Sequence, residues 1–221
     1  MIKDLFRYCD DIGMFASDRP INDVGSVKGS CDHRTSFCDD TCYNVKLYRM
    51  YPNMGKRDER CEREWQQVSG DAVLTYLSRK KKQTKRARHM TRGEAIKDLS
   101  DIYRVKDIAL ATPETTWWIP TRAWRNTLLR ELIQIELFPI ANIALNASLD
   151  PSNTQEEEDS LIDDGWNIMY FGDDTKYAGK GEAFKCPKTW KKMSGHCAVC
   201  KAGCFSQTTI GKRVTVHLSS H

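Results

Sequence analysis

Residues 116–148, TWWIPTRAWRNTLLRELIQIELFPIANIALNAS, predict a strand, a helix and a second strand in succession. Residues 116–119 are a short tryptophan-rich run with high strand propensity. Residues 125–137 carry leucine and isoleucine at helical spacing, and residues 142–148 form the next apolar run. A strand followed by a helix and another strand is the unit from which parallel sheets are built.

The same alternation extends outward from this stretch in both directions. Strand-like runs at residues 86–90 and 167–171, with helical patterns at 93–111 and 156–164, repeat every ~25–30 residues. Residues 213–218 alternate as a final strand. The recurrence predicts an α/β fold, an open or partial β/α barrel with mostly parallel strands. Functional residues are then expected at the carboxyl ends of the strands.

The length of 221 residues suits a single domain, 1–221, with the strand–helix repeats in residues 83–172. We expect residues 1–55 to be irregular and residues 56–82 to form one helix. The net charge of +4 is mild. The sequence has no apolar run near eighteen residues and no signal-like hydrophobic start, so we expect a cytoplasmic protein without a membrane span.

Seven of the nine cysteines form two sets, which lie in residues 25–50 and 185–205. In a reducing cytosol, clustered cysteines more often bind metal than form disulfides. Four thiols near one another can complete a zinc site or hold an iron–sulfur cluster, and His196 could replace one of them. The predicted metal ligands are Cys31, Cys38 and Cys42 in the first set, and Cys186, Cys197, Cys200 and Cys204 in the second.

The first set has only three thiols, which leaves two interpretations. Its fourth position could stay open for a small molecule, as in catalytic metal sites. Alternatively, another residue could supply the fourth ligand, and the candidates are Cys9, His33, Asp39 and Cys61. Thiolate ligands suit both zinc and iron–sulfur clusters, so the spacing alone leaves the choice between them open.

Residues 79–88, RKKKQTKRAR, form a basic run that could contact the phosphates of a nucleic acid. The alternative is a solvated helix end followed by a loop. No aromatic residue interrupts the run, which weakens the prediction of a nucleic-acid interface.

Polar residues at the predicted strand ends are the remaining site candidates. An arginine there can hold a carboxylate or phosphate through its planar fork, or serve as a plain ion-pair partner. A histidine can transfer protons, bind metal, or be structural, and a glutamate at a helix start also stabilises the helix dipole. The catalytic candidates are His89, Arg92, Glu94, Arg122 and Asp150, and the cofactor-binding candidates are Gly93, Glu94, Arg122 and Ser148.

From Ser30 to its C-terminus the chain resembles the phage gene product 88 family, cysteine-rich proteins of largely unknown function. Cys31, Cys38, Cys42 and Tyr43 match that family's C-x6-C-x3-C-Y motif. The other similar segments are residues 88–94 (RHMTRGE), 118–124 (WIPTRAW), 146–150 (NASLD) and 197–205, where an aromatic residue follows the last cysteine.

That family is in turn similar to radical S-adenosylmethionine enzymes, which have a partial barrel and a three-cysteine loop on a 4Fe–4S cluster. The resemblance implies an iron–sulfur cluster rather than zinc, with S-adenosylmethionine near Gly93 and Glu94. Those enzymes space their cysteines C-x3-C-x2-C, and Arg92 stands where their turn has its first glycine.

The function that this resemblance implies is a redox or radical enzyme acting in the host cytoplasm during infection. Its partner would be a small molecule or a host macromolecule. The alternative is a zinc-stabilised, non-catalytic protein that binds nucleic acid or a host protein, so whether the chain is an enzyme stays open.

Overall fold

Eight strands form one sheet in the order β1-β2-β3-β4-β5-β6-β8-β7. The computed structural model describes residues 2–172, 175–177, 183–191, 197–206 and 215–219. The strands are β1 Phe6–Cys9, β2 Met14–Ser17, β3 Arg86–Arg88, β4 Thr116–Thr121, β5 Ile143–Leu149, β6 Asn167–Gly172, β7 Ala183–Lys185 and β8 Thr215–Ser219. The helices are α1 Ser36–Thr41, α2 Tyr43–Met50, α3 Pro52–Gln67, α4 Gly70–Ser78, α5 Leu99–Ala111, α6 Thr127–Glu136, α7 Gln155–Asp163 and α8 Pro187–Lys191.

The sheet is mostly parallel and open. Only β1 and β2 pair in antiparallel fashion, and every other neighbouring pair is parallel. Strands β1 and β7 are the two edges, so the sheet does not close on itself. The prediction of an α/β fold with mostly parallel strands is confirmed. No helix in the described ranges is long and apolar enough to cross a membrane.

The central repeats match the sequence prediction with small shifts at their ends. The runs at 86–90, 116–119, 142–148 and 167–171 are strands β3 to β6. The predicted helix over 93–111 begins only at Leu99, because the Asp98 side chain caps it by accepting a hydrogen bond from the Asp101 amide. Gly93 has a φ of +78°, which no helix uses.

Two predictions for the N-terminal third are wrong. Residues 1–55 are not irregular, because they contain the β1–β2 hairpin and the helices α1 and α2. Residues 56–82 are not one helix, because Val68 is extended and the side chain of Ser69 caps a new helix, α4. The strand predicted over residues 213–218 corresponds to β8, which begins at Thr215. Residues 213 and 214 of the prediction lie outside the described residues.

The sheet has two different faces because side chains alternate along each strand. The helix face carries Trp117, Ile119 and Leu145, which are fully buried in the main core with Trp65 of α3 and Ile108 of α5. We call the opposite side the loop face, because the C-terminal cysteine segment packs on it. Its residues on β3 to β5 are Arg86, Arg88, Trp118, Pro120, Ala144, Asn146 and Ser148.

A buried arginine joins the end of β2 to two helices. The Arg19 guanidinium donates to both carboxylate oxygens of Glu62 in α3, at 2.6 and 2.8 Å, and to Asp101 Oδ2 in α5 at 2.8 Å. Burial alone would lower the pKa of Arg19, but these two carboxylates raise it above its usual value. Arg19 also donates to the carbonyls of Glu94 and Ala95, which fixes the loop after β3.

The close packing of α4 on α5 gives a test of this fold. A Cβ added to Gly70 would lie 2.4 Å from the Asp107 carbonyl oxygen and 2.5 Å from Ala111 Cβ. We expect Gly70→Ala to lower the free energy of unfolding in urea by about 1–3 kcal/mol, because helix α4 must move away from α5.

Gly55→Ala is the matched control, since its Cβ would meet Val24 Cγ1 at an ordinary 3.4 Å inside helix α3. There, alanine should stabilise the helix by roughly 1 kcal/mol. Equal unfolding free energies for the two variants would contradict the packing described here.

Candidate functional site

Three charged side chains follow three neighbouring parallel strands and form a chain across the carboxyl edge of the sheet. Glu94 follows β3, Arg122 follows β4 and Asp150 follows β5. Glu94 Oε2 accepts a hydrogen bond from the Arg122 amide at 2.8 Å. The Arg122 guanidinium lies 2.8 Å from Asp150 Oδ2, as an ion pair rather than an aligned hydrogen bond. The strand ends therefore bring together three of the five catalytic candidates.

The Glu94 carboxylate organises the backbone around it. Its Oε1 accepts hydrogen bonds from the amides of Ala95 and Ile96, at 2.8 and 3.2 Å. Burial raises the pKa of Glu94, although these amides and the Arg122 amide oppose the shift. Glu94 lies in an irregular loop, so the expectation that it stands at a helix start is wrong.

Gly93 lets this loop approach the first cysteine segment closely. With a φ of +78°, its Cα faces Ser30, and an added Cβ would lie 2.5 Å from Ser30 Oγ. Ser30 Oγ accepts from the Glu94 amide at 2.9 Å and donates to the Pro20 carbonyl at 2.8 Å. The residue immediately before Cys31 is therefore fixed to the turn that follows β3.

The first cysteine segment is tied to Asp150 through a helix cap. Thr35 Oγ1 accepts from the Cys38 amide at the start of α1 and donates to Asp150 Oδ2 at 2.5 Å. Burial raises the pKa of Asp150, but hydrogen bonds from Ser152 and Thr35 and the charge of Arg122 bring it below its usual value. The Asp150 carboxylate is thus charged and holds both Arg122 and the cap of α1.

The thiols of the first set lie near this charged chain and near one another. The pKa of Cys31 is raised to about 12 by burial, then by Glu94, Cys38 and Cys42. The pKa of Cys38 is also raised by burial, while Arg122 opposes the shift. Cys42 also raises the pKa of both Cys31 and Cys38. Nevertheless, no three His, Cys, Asp or Glu residues among the described residues are arranged to hold a metal ion.

The candidates for a fourth ligand of the first set have other contacts. His33 Nε2 is 3.2 Å from the Lys97 carbonyl, and Asp39 pairs with Arg34 at 2.9 Å. Cys61 is fully buried in α3, where its thiol donates to the Asp4 carbonyl. The last candidate, Cys9, ends strand β1 and packs against the small cluster of Ile12, Met14 and Ala16, as does Cys197 of the second set.

His89 lies in the core rather than at the strand-end site. Its ring stacks on Trp117 with centroids 4.4 Å apart, and it also contacts Trp65 and Phe6. Burial lowers the pKa of His89 to about 3, so the ring is neutral at physiological pH. This environment is that of a structural histidine, the alternative that the sequence left open.

Arg92 and Ser148 also have local roles. Arg92 is mostly buried and pairs with Asp58 at 2.7 Å and Asp18 at 3.1 Å, pointing toward α3. The Ser148 carbonyl accepts from Trp124 Nε1 at 3.1 Å, and its side chain lies on the loop face. Neither residue contacts Glu94, Arg122 or the cysteines among the described contacts.

The second cysteine segment packs on the loop face and is held by its backbone. The guanidinium of Arg86 donates to the carbonyls of Cys197 and Cys200, at 3.1 and 2.8 Å. Asn146 Nδ2 donates to the Cys204 carbonyl at 3.1 Å. Burial and the neighbouring thiols raise the pKa of Cys204 to about 12. His196 lies outside the described residues.

The basic run at residues 79–88 is not one free cationic surface. Lys80 lies over the Tyr76 ring, and Lys82 pairs with Asp10 at 2.6 Å. Arg86 and Arg88 are on the loop face of the sheet. Four of the seven basic side chains in the run therefore contact the protein itself.

Sequence reasoning missed two residues that support the site. Thr35 was detectable, because a threonine three residues before Cys38 in a short polar stretch is a typical helix cap. Arg19 was not detectable, because its partners Glu62 and Asp101 are 43 and 82 residues away along the chain.

Comparison with known proteins gives one match. The family model for gene product 88 matches residues 19–188, which include the first cysteine set, Glu94, Arg122 and Asp150. No curated protein and no solved structure matches the chain significantly.

The buried, neutral state of His89 predicts a pH-dependent stability. The unfolded chain binds a proton at this residue below about pH 6.5, whereas the folded chain does so only near pH 3. The contribution of neutral His89 is therefore present above pH 6.5 and is lost as the pH falls toward 3. The loss of this contribution should reduce the free energy of unfolding by on the order of 1 kcal/mol when the pH is lowered from 7.5 to 5.5.

His89→Phe keeps an aromatic ring beside Trp117 but cannot bind a proton. Urea unfolding at pH 7.5 and 5.5 should show a smaller loss for this variant than for the wild type. His33→Gln, at a half-buried site, serves as the control and should keep the wild-type loss. An unchanged loss in His89→Phe would contradict the neutral core histidine.

Proposed function

The chain belongs to the phage gene product 88 family, and we propose that it is an iron–sulfur cluster-binding protein that acts in the infected host cell. The cluster would be bound by Cys31, Cys38 and Cys42, and a second centre by the C-terminal set. An iron–sulfur centre supplies electron transfer, and one with an open position can also bind a small molecule.

The observation that carries the proposal is the position of the first cysteine set. Ser30, the residue before Cys31, accepts a hydrogen bond from the Glu94 amide, and Thr35 links the Cys38 amide to Asp150 at the carboxyl edge of a parallel sheet. This edge is where α/β proteins place their ligands. Three soft sulfur ligands beside a fixed cation and a buried carboxyl suit a centre that also receives a small molecule.

The donor set fits a metal centre in its chemistry, and its geometry requires local adjustment. The thiols are close but not at ligand distances, as described above. Burial raises the pKa of Cys31 and Cys38 and so favours their protonated form, and a bound metal would stabilise the thiolate form and release those protons. Cys31 lies outside any helix and Cys42 between α1 and α2, so a local adjustment at these two positions need not break a helix.

The order of elements supports the finer part of the proposal, a radical S-adenosylmethionine-like partial barrel. The cysteine segment follows β2, and the Gly93–Glu94 turn follows β3, the next strand of the sheet. In such a site Glu94, Arg122 and Asp150 would orient a bound molecule beside the first centre. S-adenosylmethionine is the proposed ligand of that position, near Gly93 and Glu94.

The second candidate function is a zinc-stabilised, non-catalytic protein that binds nucleic acid or a host protein. The same thiol sets suit zinc, because thiolates bind zinc as well as the iron of iron–sulfur clusters. The nucleic-acid part has less support, since most basic side chains of residues 79–88 contact the protein itself.

Elemental analysis of anaerobically purified protein tests the two candidates against each other. Iron with acid-labile sulfide, and a broad brown absorbance that bleaches on reduction, are expected for the first. Colourless protein with about two zinc ions, one for each thiol set, would reject it.

A cysteine substitution tests the ligand assignment. We expect Cys38→Ser to lose the centre at the first set and keep the one at the second, which should roughly halve the metal content. Cys61→Ser is the matched control, because Cys61 is buried in α3 and its hydroxyl replacement can still donate to the Asp4 carbonyl. If Cys38→Ser keeps all of its metal, the first set is not a ligand set.

A further inference from the structure

Arg88 is a cation on the loop face without a matching anion. It is partly buried at the end of β3, directly opposite Trp118 of β4. Its guanidinium lies over the Trp118 ring, 4.3 Å from the centroid, and its Nε donates to the Met90 carbonyl at 3.1 Å. In the part of the chain that the structure describes, its two terminal nitrogens have no hydrogen-bond partner.

The carboxylate that acts electrostatically on Arg88, that of Asp18, already pairs with other residues. Asp18 acts electrostatically on Arg88, but its carboxylate pairs with Arg7, Arg57 and Arg92 at 2.6–3.1 Å. Three arginines and a hydrogen bond from Thr91 therefore share one carboxylate. Asp18 cannot also neutralise Arg88, and burial lowers the pKa of the Arg88 guanidinium.

Arg86, two residues earlier on the same face, is a useful comparison because its guanidinium is engaged in structural contacts. Its guanidinium donates to two backbone carbonyls of the second cysteine segment and lies over the Phe205 ring. Arg88 has the same kind of aromatic contact, with Trp118, but no carbonyl on its terminal nitrogens. The Arg88 guanidinium is held in place by the Trp118 ring and by the Met90 carbonyl, and the N–H donors of its two terminal nitrogens are unused.

Two further polar atoms on this face are buried and unsatisfied within the described ranges. They are Trp118 Nε1 on β4 and Asn146 Oδ1 on β5. Trp118 is 5% exposed and Asn146 is 1% exposed, so neither atom is simply solvated. Unsatisfied buried polar groups are rare in folded proteins, so each one calls for an explanation. Trp118 Nε1 is a donor that an anion can satisfy, whereas Asn146 Oδ1 is an acceptor and would need a donor from another part of a ligand.

We propose that Arg88 and Trp118 form a binding site for the anionic group, carboxylate or phosphate, of a small-molecule ligand on the loop face. The planar guanidinium presents two parallel donors, which match the oxygens of either anion. The site lies next to the second cysteine segment, because Arg86, two residues earlier on the same face of β3, donates to the carbonyls of Cys197 and Cys200.

This inference does not require either metal centre, since Arg88 and Trp118 are held by strands β3 and β4. It deepens the proposed function where that function holds, because a ligand anchored at Arg88 would lie beside the second cysteine set. The two proposals can therefore fail separately: metal content tests the centres, and anion binding tests Arg88.

The test is calorimetric titration of the full chain with inorganic phosphate and, separately, with citrate at low ionic strength. We expect saturable binding at one site, with one of the two anions preferred, and at least tenfold weaker binding in Arg88→Gln. Arg88→Lys keeps the charge but loses the fork, so it should bind with intermediate affinity.

Lys85→Gln is the matched control, because it removes one positive charge next to the same strand from an exposed position. It should bind both anions as the wild type does. If Lys85→Gln and Arg88→Gln weaken binding equally, or if the wild type binds neither anion saturably, the site does not exist. Metal content and the far-UV circular dichroism spectrum are measured in each variant, so that an unfolded protein is recognised.

Discussion

The structure depends on the buried ion pairs of Arg19, which meets Glu62 of α3 and Asp101 of α5 directly after β2. Such a group is strongly destabilising when one partner is removed, by about 3–5 kcal/mol, because a buried charge is left alone. Nη1 of Arg19, which donates to Asp101, also donates to the carbonyls of Glu94 and Ala95, so one guanidinium fixes two helices and the loop after β3. This cluster therefore fixes the loop that carries Glu94, which is one end of the candidate site.

The strand-end residues then divide into two groups by the direction that each side chain takes. Glu94, Arg122 and Asp150 form a connected chain beside the first cysteine set. His89 and Arg92 come from the same β3 segment but turn toward Trp117 and Asp58, into the helix side of the molecule. Adjacent residues in an extended or turning segment point to opposite sides, so nearness in sequence did not make them one site.

The repeating centre of the fold could be predicted from the sequence, because apolar periodicity over β3 to β6 is a local property. The break at Val68 and Ser69 could not be separated from a continuous helix, since both residues are tolerated within helices. The family resemblance implied only that S-adenosylmethionine would lie near Gly93 and Glu94. The hydrogen bond from the Glu94 amide to Ser30, the residue before Cys31, required the folded chain. The pairing of Arg122 with Asp150, and of Thr35 with Asp150, required the folded chain, because their partners are 28 and 115 residues apart.

The C-terminal cysteine segment is held on the sheet by hydrogen bonds to its backbone carbonyls. The donors are Arg86, Asn146 and Asn167, and the accepting carbonyls are those of Cys197, Cys200, Cys204 and Ser206. Every amino acid has a backbone carbonyl oxygen, so these hydrogen bonds do not depend on which side chains lie between the cysteines. Residues at those intervening positions can therefore be substituted while the segment keeps its path across the sheet. Divergence should be tolerated in the segment itself and resisted in the three residues beneath it.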